Sequence, residues 1–178
     1  VYNYDLGNVE VSKTIFLPKN KNAVALIYKL QNTNNFGSKV RLYPLLTCRY
    51  FHTVVDRIKT PLYFAIESNG TQVQTTFQRP QATILCRCTE GEFKEAINLV
   101  DRVHYHDEAL RGEANMDDCF QPGYFELQVP SNSTKEFVVS CAVSQESQEA
   151  QEILDSVGKT ISEVKDTFNQ ELNQKNEL

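Results

Sequence analysis

Between Val9 and Val143 the apolar positions come in short β-branched and aromatic runs, broken at close intervals by Asn, Gly, Ser and Pro. That punctuation is the mark of an all-β sandwich or barrel. Val9, Val11, Ile15 and Leu17 open the series, and Lys19-Asn20-Lys21-Asn22 reads as the turn into a second strand, Ala23 to Leu30. Asn32 to Ser38 reads as a further turn leading into Val40 and Leu42, then Leu45 and Leu46, so an antiparallel meander of three strands is expected. Other runs fall at Leu62 to Glu67, Gln72 to Phe77, Thr83 to Cys88, Tyr124 to Val129 and Glu136 to Val143. Asn69-Gly70 is the clearest hairpin signal, because both residues tolerate positive φ. Val73, Thr75 and Phe77 alternate with Gln72, Gln74 and Thr76, which predicts one buried and one polar strand face.

The period changes at Ser144. Beyond Glu146 the chain has no Pro and is rich in Glu, Gln and Lys, while Ile153, Val157, Ile161, Val164, Phe168 and Leu172 recur at helical spacing. Gly158 interrupts the stripe and Thr160-Ile161-Ser162-Glu163 fits a capping box, so two helices compete with one. Because the stripe keeps phase across the glycine, a continuous or kinked helix is expected. Its apolar face would pack on its own sandwich, mediate dimerisation or dock elsewhere. The expected organisation is a β-sandwich over 1–145 and a helical appendage over 146–178.

Composition narrows the function classes. A net charge of −5 with scattered Lys and Arg gives no footprint for nucleic acid or an anionic membrane. No apolar run reaches the roughly 20 residues of a membrane span, and no charged-then-apolar leader opens the chain. Neither nucleic acid nor membrane is therefore an expected partner, and a cytoplasmic location is. Five cysteines, Cys48, Cys86, Cys88, Cys119 and Cys141, lack both disulfide-framework and zinc-ligand spacing, and read as small thiols in a reducing compartment. His104 and His106, two apart at a strand end beside Asp107 and Glu108, could form half a metal site, with His52 or an acid elsewhere as a third ligand. Nothing else has ligand spacing, so no metal and no cofactor is expected.

The polar stretch from Tyr105 to Phe125 lies between strand-like runs, where a β-scaffold presents function. Within it Tyr105, Glu108, Arg111, Gly112, Asp117, Asp118, Pro122, Gly123 and Phe125 keep a register that resembles the domain preceding the catalytic barrel of prokaryotic glycogen debranching enzymes. Pro44, Leu45, Arg49 and His52 match a second motif of that family, and the segments Val11–Phe16 and Asn22–Tyr28 are similar to its first hairpin. The resemblance covers Val9 to about Gln151. Tyr50 and Ala114 stand where the family has Asp, and Leu99 where it has Trp.

The resemblance implies an antiparallel sandwich of the supersandwich, galactose mutarotase-like kind, taken from an α-1,6-glucosidase acting on glycogen-like α-glucan. Its catalytic α/α barrel would lie outside this chain, with residues 146–178 as a linker docking on it. Alone, the fragment is expected to be inactive, since adjacent Asp117 and Asp118 point to opposite faces of extended backbone and make a poor acid and base pair. Sugar recognition needs aromatic faces and planar charged groups, which nominates Arg49, His52, Tyr105, Arg111, Asp117 and Asp118. An ion pair between Arg111 and Asp117 or Asp118 that pins the loop is the structural alternative. Pro122-Gly123 is expected to set a turn before the next strand. The competing functional reading is a stand-alone sandwich module whose helix recruits a protein partner.

Overall fold

A computed structural model describes residues 1–50, 53–59 and 63–176. Two antiparallel sheets face each other, and helices cover the far side of the larger one. In chain order the large sheet contains β1 (Tyr2–Asp5), β2 (Val9–Phe16), β3 (Ala23–Asn32), β5 (Phe64–Asn69), β6 (Gln72–Gln78), β7 (Gln81–Cys88) and β10 (Ser133–Ser144). Its strand order is β1-β2-β3-β10-β7-β6-β5. The small sheet is β4-β9-β8, formed by β4 (Ser38–Leu42), β8 (Glu92–His104) and β9 (Met116–Val129). Helices α1 (His106–Leu110), α2 (Ser147–Val157) and α3 (Ile161–Asn176) complete the chain.

One core lies between the sheets. Leu30, Val73, Cys86 and Phe137 from the large sheet meet Phe93, Phe125, Leu127 and Val129 from the small one. Tyr28 stacks on Phe137 at 5.0 Å, and Phe93 meets Phe125 edge-on at 5.2 Å, the offset and T-shaped contacts that ring quadrupoles favour. The second core lies under the helices, where Phe16, Ala25 and Val138 pack against Val157 and Val164, while Leu85 and Ala142 meet Ala150 and Leu154. Central strand β10 is thus covered on both faces. This explains why Phe137-Val138-Val139 is a continuous apolar run instead of an alternating one.

The three-strand meander is displaced by one strand from the expected set. β1, β2 and β3 pair in sequence, but the run at Val40 crosses to the other sheet and pairs with β9, Val40 opposite Leu127. Asn32 holds this corner. Its buried side chain donates to the carbonyls of Phe36 (3.0 Å) and Pro130 (2.9 Å) and accepts from the Asn34 backbone N–H. Two expected turns form, with Asn20 at φ 58° and Gly70 at 54°, and Asn132 takes 47° in the turn before β10; the Gly70 turn differs in detail. There Asn69 ends β5 and the two-residue loop is Gly70-Thr71, not Asn69-Gly70.

The tail is two helices, not one. Gly158 takes φ 129°, which an L side chain rarely adopts, and a Cβ there would lie 2.8 Å from the Val164 nitrogen. Arg87 of β7 finishes α2, donating to the carbonyls of Leu154 (3.1 Å) and Gly158 (2.9 Å) and pairing with Asp155 at 2.6 Å. The capping box then starts α3: the Glu163 N–H donates to Thr160 Oγ1 and the Thr160 N–H to Glu163 Oε2, both at 3.3 Å. Stripe residues Val157 and Val164 are fully buried and Ile153, Ile161 and Phe168 partly so, all beneath the chain's own sheet. Docking on another domain through this stripe is therefore not the arrangement; only Leu172 remains 44% exposed.

β8 is absent from the expected runs apart from its end at His104, because two irregularities erase its period. Register shifts fall between Glu95 and Asn98 and between Val100 and Val103. Pro122, opposite the first, lies inside β9, where the broken ladder needs no donor. Pro122-Gly123 is not a turn. Gly123 is required by close approach, since a Cβ there would lie 2.2 Å from the Lys94 carbonyl oxygen. Phe120 and Phe125, five apart, both reach the core, which a regular strand forbids.

Candidate functional site

Among the described residues, the first half of β9 has β8 on one side and no regular strand on the other. Residues 46–50 and 53–59 run along that edge: Leu46 and Phe120 exchange backbone hydrogen bonds at 2.8 Å, and the Asp118 N–H donates to the Val55 carbonyl at 3.0 Å. Irregular backbone cannot satisfy a whole ladder, and two carboxylates supply the missing acceptors. Asp117, fully buried, accepts from the Val55 N–H (2.7 Å), Arg49 Nε (2.8 Å) and the Tyr105 hydroxyl (3.2 Å). Asp118 turns the other way and accepts the backbone N–H groups of Arg57 and Arg102, each at 2.9 Å. These two backbone donors hold the Asp118 carboxyl below its ordinary value. Arg102 adopts φ 57° at the second β8 irregularity, which aims its N–H at Asp118.

The expected loop therefore starts as one helical turn, α1, and is already strand at Met116, so both acids sit on β9. The ion pair behind it is also different. Arg111 does not reach Asp117 or Asp118; its guanidinium is 70% exposed and lies 3.5 Å from Glu108. Arg49 is the partner, from 68 residues away. Asp117 is committed to holding backbone and Arg49 in place, so it is not a free sugar ligand.

In front of that anchor lies an open groove of about 840 Å³, lined by Arg49, Thr53, His104, Tyr105, His106 and Arg111, with Asp107, Glu108 and Glu113 at its sides. It brings together three of the nominated residues, Arg49, Tyr105 and Arg111, with Asp117 directly behind. Burial, then the nearby Asp117 charge, raises the Tyr105 hydroxyl above its ordinary value, so it remains a neutral hydrogen-bond donor. His52 lies outside the described residues. Asp118 belongs to a neighbouring groove of about 540 Å³ with Asp56, Arg57, Asp101 and Arg102, where Arg57 pairs with Asp101 at 2.6 Å. The His104 and His106 rings are 6.4 Å apart, and among the described residues no group of three or more His, Cys, Asp or Glu is placed to hold a metal ion. Among the described residues no helix is long and apolar enough to cross a membrane.

Sequence reasoning missed Arg57, Asp101 and Arg102, whose convergence depends on the β8 irregularity and has no local signal. It also missed the outer face of the small sheet. There Glu126 is surrounded by Lys94 (2.8 Å), Arg41 (2.9 Å) and Lys39 (3.6 Å), and Arg41 lies over the Tyr124 ring beside Tyr43. Lys94 first and then Arg41 push the Glu126 carboxyl down to about 2. A carboxyl lowered by folding contributes stability that is full above its unfolded value of 4.5 and is lost as pH falls through about 2. Urea midpoints of native and Glu126→Gln protein are accordingly expected to differ at pH 6 and to converge towards pH 2; a gap independent of pH contradicts this.

Comparison with known proteins places this arrangement. Among solved structures the chain is similar to a polysaccharide lyase, with TM-score 0.50, 10% identity, and coverage of 85% of this chain and 22% of that one. It is also similar to a protein described as a kojibiose phosphorylase from the human microbiome, with TM-score 0.45, 10% identity, and coverage of 85% and 19%. The chain thus spans about a fifth of the length of these two proteins. At 10% identity the lyase supports the fold alone. No curated protein matches the chain. The glycogen debranching enzyme N-terminal family matches residues 1–136, which include both sheets up to the first residues of β10, the Arg49–Asp117 anchor and the groove. The chain belongs to the glycogen debranching enzyme N-terminal family.

Proposed function

We propose that this chain is the non-catalytic amino-terminal sandwich of a glycogen debranching enzyme, in which it supports recognition of glycogen-like α-glucan and packs against a separate catalytic α/α barrel. The family match over residues 1–136 carries the reading. The groove between Arg49, Tyr105 and Arg111 supports the glucan part: it is open, its planar guanidinium groups can donate to sugar hydroxyls, and the Tyr105 oxygen, whose proton goes to Asp117, can accept from one. The sandwich ends near residue 145, and the helices from 146 onward serve it as a cover. Recruitment of a protein partner by the tail, which the stand-alone module reading needs, has lost its apolar stripe to the core beneath.

Calorimetric titration of the chain with maltoheptaose tests the glucan role. Arg111→Ala is expected to weaken binding about tenfold, the loss of one charge-assisted hydrogen bond of about 1.5 kcal/mol. Its folding stability should change by less than about 0.5 kcal/mol, because the side chain is exposed and makes only one weak ion pair. Lys29→Ala, on the exposed side of β3 and outside the groove, should bind like the native chain. No binding by the native chain, or equal affinity for Arg111→Ala, overturns the glucan role.

A further inference from the structure

We propose that Cys86 and Cys141 form an oxidation site, closing to a disulfide between β7 and β10 when the protein meets a small hydroperoxide. The two residues face each other in the antiparallel register of these neighbouring strands. Directly opposed residues in such a ladder have Cα atoms about 4.5 to 5.5 Å apart, within the 4.4 to 6.8 Å that a disulfide spans, so the backbone need not move. The sulfurs already lie 3.0 Å apart, and side-chain rotation has about 1 Å left to close. Access is unequal. Cys86 is sealed, whereas Cys141 is only half-buried, at a part of the inner sheet face where Leu26 and Ile84 are also half-buried. Cys88, one pleat along the same face, is opposed by Val139 and has no thiol across the ladder.

Oxidant therefore arrives at Cys141. Its sulfur attacks one peroxide oxygen, the O–O bond breaks, and the departing oxygen leaves as water or the corresponding alcohol, giving a sulfenic acid. The Cys86 sulfur then displaces the sulfenic oxygen, which leaves as water. The two thiols lose two electrons and two protons and the peroxide gains both. The bond would link residues 55 apart and tie the two strands at the centre of the large sheet.

The test is to expose the full chain to hydrogen peroxide, block remaining thiols with an alkylating agent, and map the peptides by mass spectrometry. Expected is a loss of 2 Da, with titratable thiols falling from five to three. The peptides carrying Cys86 and Cys141 should be linked, and a thiol reductant should restore both. Cys88→Ser should still link them and Cys141→Ser should not. If Cys141→Ser fails to fold, the native peptide map decides alone. Five unchanged thiols, a bond involving Cys48 or Cys119, dimers linked between chains, or over-oxidation to sulfinic acid without a link each overturn the proposal.

Discussion

Arg49→Ala is expected to destabilise the fold by about 3 kcal/mol and to lower the thermal midpoint by roughly 6–12 °C. The magnitude follows from what is left behind. Asp117 is fully buried and its Oδ2 pairs with Arg49 Nε at 2.8 Å, whereas the Arg49 side chain retains 29% exposure. Removing the guanidinium leaves a carboxylate out of water with only the Val55 N–H and the Tyr105 hydroxyl to stabilise it. Breaking such a pair costs far more than the intact pair contributes, because burial of the unpaired charge is no longer offset. Backbone order should suffer locally, since the same carboxylate positions Val55 and through it the segment along β9. Urea unfolding of Arg49→Ala beside Arg111→Ala separates the two arginines. Equal stability for both variants would show that Asp117 does not depend on Arg49.

Gly123→Ala should cost at least as much, about 3 kcal/mol, the upper end of what overpacking does to a well-filled interior. A methyl group at this position meets the Lys94 carbonyl oxygen at 2.2 Å, Phe93 Cζ at 2.8 Å and the Ala96 nitrogen at 3.0 Å. Two of these are backbone atoms of the paired strand and cannot rotate away. The strands must separate where Pro122 already interrupts the ladder, which loosens the Phe93 and Phe125 contact in the core. Gly37→Ala is the control, because its added carbon meets only the Val129 carbonyl oxygen at an ordinary 3.6 Å. Circular dichroism melts of the two variants should differ by roughly 6–12 °C. A Gly123→Ala protein as stable as Gly37→Ala contradicts the close approach.

Regular hairpins were the legible part of this fold. β6 alternates Val73, Thr75 and Phe77 against polar neighbours, and its inward residues are buried as the pattern demands. What failed to show in the sequence has identifiable causes. β1 is exposed along its whole length and carries no apolar pattern, and β8 loses its period at two irregularities. Two adjacent buried acids made the start of β9 look like a loop, although a strand can bury both when each meets donors on its own side. Arg111, six residues from Asp117, was the natural partner by proximity, but α1 carries it outward and the chain fold delivers Arg49 instead. The helical stripe kept its phase across Gly158 because both helices pack on one sheet face; the break is decided by the φ of one glycine and by Arg87, which no local pattern reveals.

The proposed glucan role divides the labour: Asp117 and Asp118 hold backbone, while Arg49, Tyr105 and Arg111 in front of them are expected to meet sugar. Chemical-shift mapping of the ¹⁵N-labelled chain during titration with maltoheptaose tests this most directly. Shifts confined to His104–Gly112 and to the backbone around Arg49 and Thr53 are predicted, with the rest of both sheets unmoved. Shifts centred on another face of the molecule, or none at saturating sugar, would contradict it.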